Sequence, residues 1–140
     1  MKILYVILLL CACLSACSNS NSPNTNNQPA VNLEDKPVIM FTEKTYNFGK
    51  IKKDATQLHY ADFEFENTGK SPLVIFDVEV SCGCLSSLYF KEPVMPGEKG
   101  TIRIIFTSDN QERNFSKTVL VKSNASNNVE QLRLKGEIMK

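Results

Sequence analysis

His59-Tyr60-Ala61-Asp62-Phe63-Glu64-Phe65-Glu66 is the stretch that decides the fold. His59, Ala61, Phe63 and Phe65 fall on one face of an extended chain, and Tyr60, Asp62, Glu64 and Glu66 on the other. That period of two belongs to a β-strand. Apolar-in, polar-out alternation marks an antiparallel strand with one face on a core and one in water. Asn67-Thr68-Gly69-Lys70 follows as a turn in which Gly69 is free to take positive φ.

Working outward, Leu73 to Val80 is β-rich and more continuously apolar, which reads as a central strand. Pro96-Gly97-Glu98-Lys99-Gly100 is a second turn. Ile102, Ile104 and Phe106 alternate with Thr101, Arg103 and Thr107, and Ile105 breaks the pattern. Val38 to Phe41, Tyr46 to Phe48, Phe115 to Val121 and Val129 to Ile138 complete the strands. No segment carries a sustained helical period. Seven or eight short strands separated by turn signals predict an all-β, immunoglobulin-like antiparallel β-sandwich. The chain has no Trp, so the Cys…Trp…Cys core of antibody domains is absent.

Before the strands lie two segments of different character. Lys2 and the apolar run Ile3 to Leu14 have the charge and length of a signal peptide, and the run is too short to span a bilayer. Leu14-Ser15-Ala16-Cys17 resembles the lipobox of bacterial lipoproteins. The resemblance implies diacylglycerol on the Cys17 sulfur, cleavage after Ala16 and acylation, for instance by palmitate, of the new amine. Cys11 and Cys13 leave with the leader. Residues 17–36 then read as the lipidated Cys17 and a flexible linker of Asn and Ser with Pro23 and Pro29, its ends roughly 20–25 Å apart. Val31 and Leu33 are its residues able to pack on the domain. The expected organisation is a cleaved signal peptide (1–16), a disordered tether (17–36) and a sandwich domain (37–140). Ser18, Asn19 and Ser20 contain no acid. An acidic cluster after a lipidated cysteine resembles a surface-export signal in some bacteria. Its absence points to the periplasmic face, and Ser18 rather than Asp after Cys17 points, by analogy with known sorting rules, to the outer membrane. Two or more acyl chains give stable anchoring where one does not.

Composition narrows the partners. The 140 residues carry a formal charge of +1, and removal of Lys2 leaves the side-chain charge near zero. A nucleic-acid partner calls for a basic stripe that is missing here. Electrostatic capture by an anionic membrane is equally unsupported. The expected partners are the membrane, through lipid on Cys17, and an envelope protein.

Several fragments together resemble the family called domain of unknown function 1573. They are Phe41…Tyr46-Asn47-Phe48-Gly49-Lys50-Ile51, His59…Phe63-Glu64-Phe65-Glu66-Asn67-Thr68-Gly69, Pro72-Leu73-Val74-Ile75 and Ser81-Cys82-Gly83-Cys84. They continue with Pro93 to Gly100, Phe115-Ser116-Lys117-Thr118, Ser123-Asn124 and Leu134-Lys135-Gly136. The resemblance runs from about Val38 to Lys140. It implies an exported protein, of a kind abundant in Bacteroidetes, with an immunoglobulin-like domain of the PapD, major sperm protein and Hydin type. It brings no established activity. Leu85 departs from the Thr usual after the second cysteine, and Tyr89 stands near a common Trp.

Ser81-Cys82-Gly83-Cys84 is the one place where chemistry is expected, and Gly83 suits a turn that resists a Cβ. Three readings stand together: a structural loop with cysteines as small apolar side chains, a labile Cys82–Cys84 disulfide whose short ring is strained, and a site for soft Cu(I) or Zn. The last needs further ligands, for which His59 and Met95 are the candidates. The HExxH, GxSxG and P-loop patterns are absent. Asp62, Glu64 and Glu66 on one strand face read as a solvated surface. The expectation is a non-enzymatic binding or structural module without a cofactor, with thiol redox or copper binding at Cys82 and Cys84 as the alternative.

Overall fold

The computed structural model describes residues 35–109 and 112–139. The leader 1–16 with Cys11 and Cys13, the lipidation site Cys17, and the linker as far as residue 34, with Val31 and Leu33, lie outside the described residues. The described chain forms eight strands: β1 (Ile39–Phe41), β2 (Thr45–Lys52), β3 (Leu58–Asn67), β4 (Ile75–Val80), β5 (Leu85–Leu88), β6 (Lys99–Thr107), β7 (Asn114–Ser123) and β8 (Val129–Met139). They make two four-stranded sheets, β1-β3-β6-β5 and β2-β8-β7-β4. The fold is the immunoglobulin-like β-sandwich that the alternation predicts.

Alternation places the core. In β3, Ala61, Phe63 and Phe65 point inward, and in β6 Ile102, Ile104 and Phe106 do the same. Val119 and Val121 of β7 and Leu132 and Leu134 of β8 meet them from the other sheet. Full burial of each of these side chains larger than Ala61 contributes roughly 1.5–3 kcal/mol. An aromatic group spans the layers: the Phe106 and Phe115 rings stack with centroids 4.6 Å apart, and Phe48 lies 5.6 Å from Phe106. Phe65 and Phe115 each fold over a cross-strand glycine. Gly100 is the partner of Phe65 and Gly136 that of Phe115, and a Cβ at either glycine would meet the ring. Ile105, which broke the pattern, lies half-buried on the outer face between Tyr60 and Ser86.

Four features differ from the sequence reading. First, β2 runs parallel to β8, while all other pairs are antiparallel. The two strands are remote in sequence and joined by no hairpin, so their direction is unconstrained. Second, β2 extends through Gly49, which has φ 66° and sits at a register shift between Asn47 and Lys50. The Gly49 N–H donates to Asn47 Oδ1 at 3.0 Å, which builds the bulge locally. Third, β4 is the edge of its sheet, not a central strand. A register shift between Ile75 and Asp77 turns Phe76 outward, so the apolar run does not mark burial on both faces. Fourth, β5 goes unforeseen, because Leu85-Ser86-Ser87-Leu88 has little strand propensity of its own and is ordered by pairing with β6.

The turn after β3 also works differently from expectation. Gly69 has no positive φ. A Cβ there would collide with the backbone of Lys36, Pro37 and Val38. The Lys36 carbonyl accepts the Lys70 N–H at 3.3 Å, so the end of the expected tether is already docked.

Candidate functional site

Cys82 and Cys84 sit where the chain leaves one sheet for the other. β4 ends at Val80 on the edge of the second sheet, and β5 begins at Leu85 on the edge of the first. Backbone hydrogen bonds hold the corner. The Leu85 N–H donates to the Cys82 carbonyl at 3.2 Å. The Thr107 N–H and hydroxyl donate to the Cys84 carbonyl at 3.0 and 3.3 Å. The Ser87 hydroxyl reaches the Val78 carbonyl at 3.4 Å and ties the two edges together. The two sulfurs are joined as a disulfide, with Cα atoms 5.2 Å apart. Each cysteine is half-buried, with one flank on the core, and Gly83 between them is exposed. Gly83 has no positive φ, and a Cβ on it would meet nothing within 4 Å. The expectation that this turn resists a Cβ is therefore corrected: neither backbone conformation nor crowding requires glycine. Leu85, which replaces the usual Thr, is buried in the core, and Tyr89 packs half-buried against it.

The candidate metal ligands do not gather at this corner. His59, Phe106 and Leu85 form one cross-strand row, with Phe106 in the middle. Two strand spacings, roughly 10 Å, separate His59 from Leu85. The imidazole lies on the inner face, 6.0 Å from the Phe48 ring and 6.3 Å from Phe106. Its Nε2 is buried and finds no hydrogen-bond partner among the described residues. Met95 precedes β6, whereas Cys84 binds its far end at Thr107, with roughly 27 Å of strand between. Among the described residues, no group of three or more His, Cys, Asp or Glu side chains is arranged to hold a metal ion. His59 and Met95 thus add no ligand to Cys82 and Cys84.

The carboxylates of β3 face outward. Asp62 accepts two hydrogen bonds from Arg103 at 2.6 and 2.7 Å, and that pairing holds its carboxyl below the usual range. The Arg103 guanidinium lies 5.7 Å from the Tyr60 ring centroid.

A second feature was not visible in the sequence. β5 pairs only with Arg103 to Phe106, so residues 99–102 of β6 have no partner strand on that side among the described residues. Beside this bare edge lies a groove of about 340 Å³ whose walls include Phe65, Ile75, Phe90 and Val94. A further hollow of about 450 Å³ continues over Leu88, Phe90 and Arg103. Phe90 is 76% exposed and Leu88 58%. The clustering of Leu88, Tyr89 and Phe90 just after the cysteines was the available signal. The groove itself draws on residues 65 to 101, which only the fold brings together.

A family model described as a protein of unknown function, DUF1573, matches residues 39–138. No curated protein matches the chain. Among solved structures it is similar to a protein of unknown function from Porphyromonas gingivalis W83, with TM-score 0.64, 19% identity and 79% of this chain covered. This chain spans about half, 51%, of that one. It is also similar to the ASH/PapD-like domain 7 of human CEP192, with TM-score 0.54, 11% identity, and 77% of this chain and 88% of that one covered. The YadV chaperone gives TM-score 0.54 at 13% identity, covering 73% of this chain and 52% of that one. At these identities the likeness is one of fold.

Proposed function

The chain belongs to the DUF1573 family of proteins of unknown function, and we propose that its sandwich is a non-enzymatic binding module that receives an extended, partly apolar segment of an envelope protein. The observation that carries this reading is the bare β6 edge at residues 99–102 beside a groove rimmed by exposed Phe90. Unpaired N–H and C=O groups of an edge accept another strand, and neighbouring pockets take its alternate side chains. Covering Phe90 and Leu88 would contribute up to roughly 1.5–3 kcal/mol each. The PapD-like neighbours, one of them a chaperone, make a binding role consistent with the fold.

The module is tethered by lipid on Cys17 to the outer membrane and faces the periplasm. Leu14-Ser15-Ala16-Cys17 and the polar linker after it support this placement. A photoreactive phenylalanine analogue at position 90 of the full-length protein, irradiated in cells, tests the binding reading. The expected result is a discrete protein adduct that an added Leu88→Asp substitution removes. An absence of adduct, or adducts untouched by that substitution, contradicts it. Cys17→Ser in the same cells should move the protein from the membrane to the soluble fraction; unchanged membrane association contradicts the tether.

A further inference from the structure

We infer that the Cys82–Cys84 disulfide is a reactive dithiol/disulfide pair that exchanges electrons with the cysteines of another protein. The pair lies at the Thr107 end of β6, away from the bare edge at residues 99–102, and its chemistry needs no partner there.

Three observations carry it. The bond joins cysteines two residues apart in sequence, so it cross-links almost no chain and restrains the unfolded state little. The corner is held without it, by the hydrogen bonds from Leu85 and Thr107 to the two cysteine carbonyls. Finally, the pair is open on one side. Gly83 is exposed with empty space around it, and each cysteine is only half-buried. A thiol can therefore approach from the Gly83 side without the sandwich unfolding. After reduction, the same hydrogen bonds keep the two thiols close, so the bond can close again within the molecule.

The chemistry is thiol–disulfide exchange with a protein dithiol as co-reactant. A thiolate of that protein attacks the sulfur of one cysteine. The S–S bond breaks, and its electron pair leaves on the other cysteine, which takes up a proton. The second thiolate of the co-reactant then attacks its own sulfur in the mixed disulfide and displaces the first cysteine as a thiolate, which is protonated in turn. The co-reactant ends as a disulfide and Cys82 and Cys84 as two thiols, a transfer of two electrons. The reverse direction, with a protein disulfide as oxidant, resets the pair.

Reduced glutathione is the probe, applied to the folded, untagged chain of residues 18–140, whose cysteines are Cys82 and Cys84, and, in parallel, to the same protein in denaturant. Acid quenching, alkylation and mass measurement follow the pair, and circular dichroism verifies that the native sample stays folded. A bond reachable only by global unfolding would react about 10³-fold or more slowly in the native protein, in proportion to the unfolding equilibrium. The expected result is a native rate within roughly tenfold of the denatured one, with closure again on adding oxidised glutathione. Single variants Cys82→Ser and Cys84→Ser, given oxidised glutathione, should each form a mixed disulfide while folded, releasing one reduced glutathione. A native rate suppressed about 10³-fold or more marks a sealed structural bond and overturns the inference. Two thiols that stay reduced in oxidised glutathione overturn it as well.

Discussion

Two corners of the sandwich look alike as sequence and differ in what holds them. Asn67-Thr68-Gly69-Lys70 and Ser81-Cys82-Gly83-Cys84 are both four-residue turns with glycine in the third place. At the first, Asn67 is 0% exposed. Its Nδ2 donates to the Ser71 and Val94 carbonyls at 2.8 and 2.9 Å. Its Oδ1 accepts the Val38 and Gly69 N–H groups at 3.3 and 3.0 Å. Gly69 fits because residues 36–38 run across it with no room for a Cβ. At the second corner nothing approaches Gly83, and the side-chain link is a bond across a single residue. The first corner joins three remote segments of the chain. The second joins residues that the backbone already holds together.

Substitutions at the two glycines and at Asn67 sharpen this contrast. Gly69→Ala should have the largest effect, because its methyl group meets backbone that cannot swing aside. A loss of about 3 kcal/mol or more is expected in urea unfolding. An unchanged midpoint would mean that residues 36–38 are not held against the turn. Asn67→Ala should follow, at about 2–3 kcal/mol, since it removes four part-buried hydrogen bonds and strips the Val38 and Gly69 N–H groups and the Ser71 carbonyl of this partner, while the Val94 carbonyl keeps the Leu73 N–H. Asn67→Asp should recover only part of that loss, because it restores the acceptor and not the donors. Gly83→Ala should lie at the other extreme. With space available and no positive φ, the added methyl group restricts the unfolded chain and changes stability by about +0.5 kcal/mol or less. A loss as large as that of Gly69→Ala would erase the distinction between the corners.

Much of the architecture was legible in the sequence, because one-sided burial writes itself as alternation. His59 to Glu66 reads correctly as β3, and Ile102 to Phe106 as the centre of β6. The misread parts owe their structure to distant partners. β5 exists because Phe106 to Arg103 offers an edge, and β4 lies at an edge because β7 is its sole neighbour among the described residues. Neither fact is local. As sequence, Gly69 and Gly83 both read as conformational glycines. The positive φ values belong instead to Gly49 and Gly97, and Gly69 is needed for contact with a segment some thirty residues earlier. Within the candidate site, the cysteine pair was visible as a motif. The bare β6 edge was not, since it depends on how far β5 extends.

The most direct test of the difference between the corners is urea unfolding of the wild-type domain with the Cys82–Cys84 bond intact and after its reduction. The chain-entropy relation for so short a loop gives at most about 1.6 kcal/mol. If the bond is a reactive group on a corner held by hydrogen bonds, the two curves should lie within that interval, with equal slopes. A drop on reduction as large as that of Asn67→Ala would contradict this, and would make the disulfide a structural staple like the asparagine.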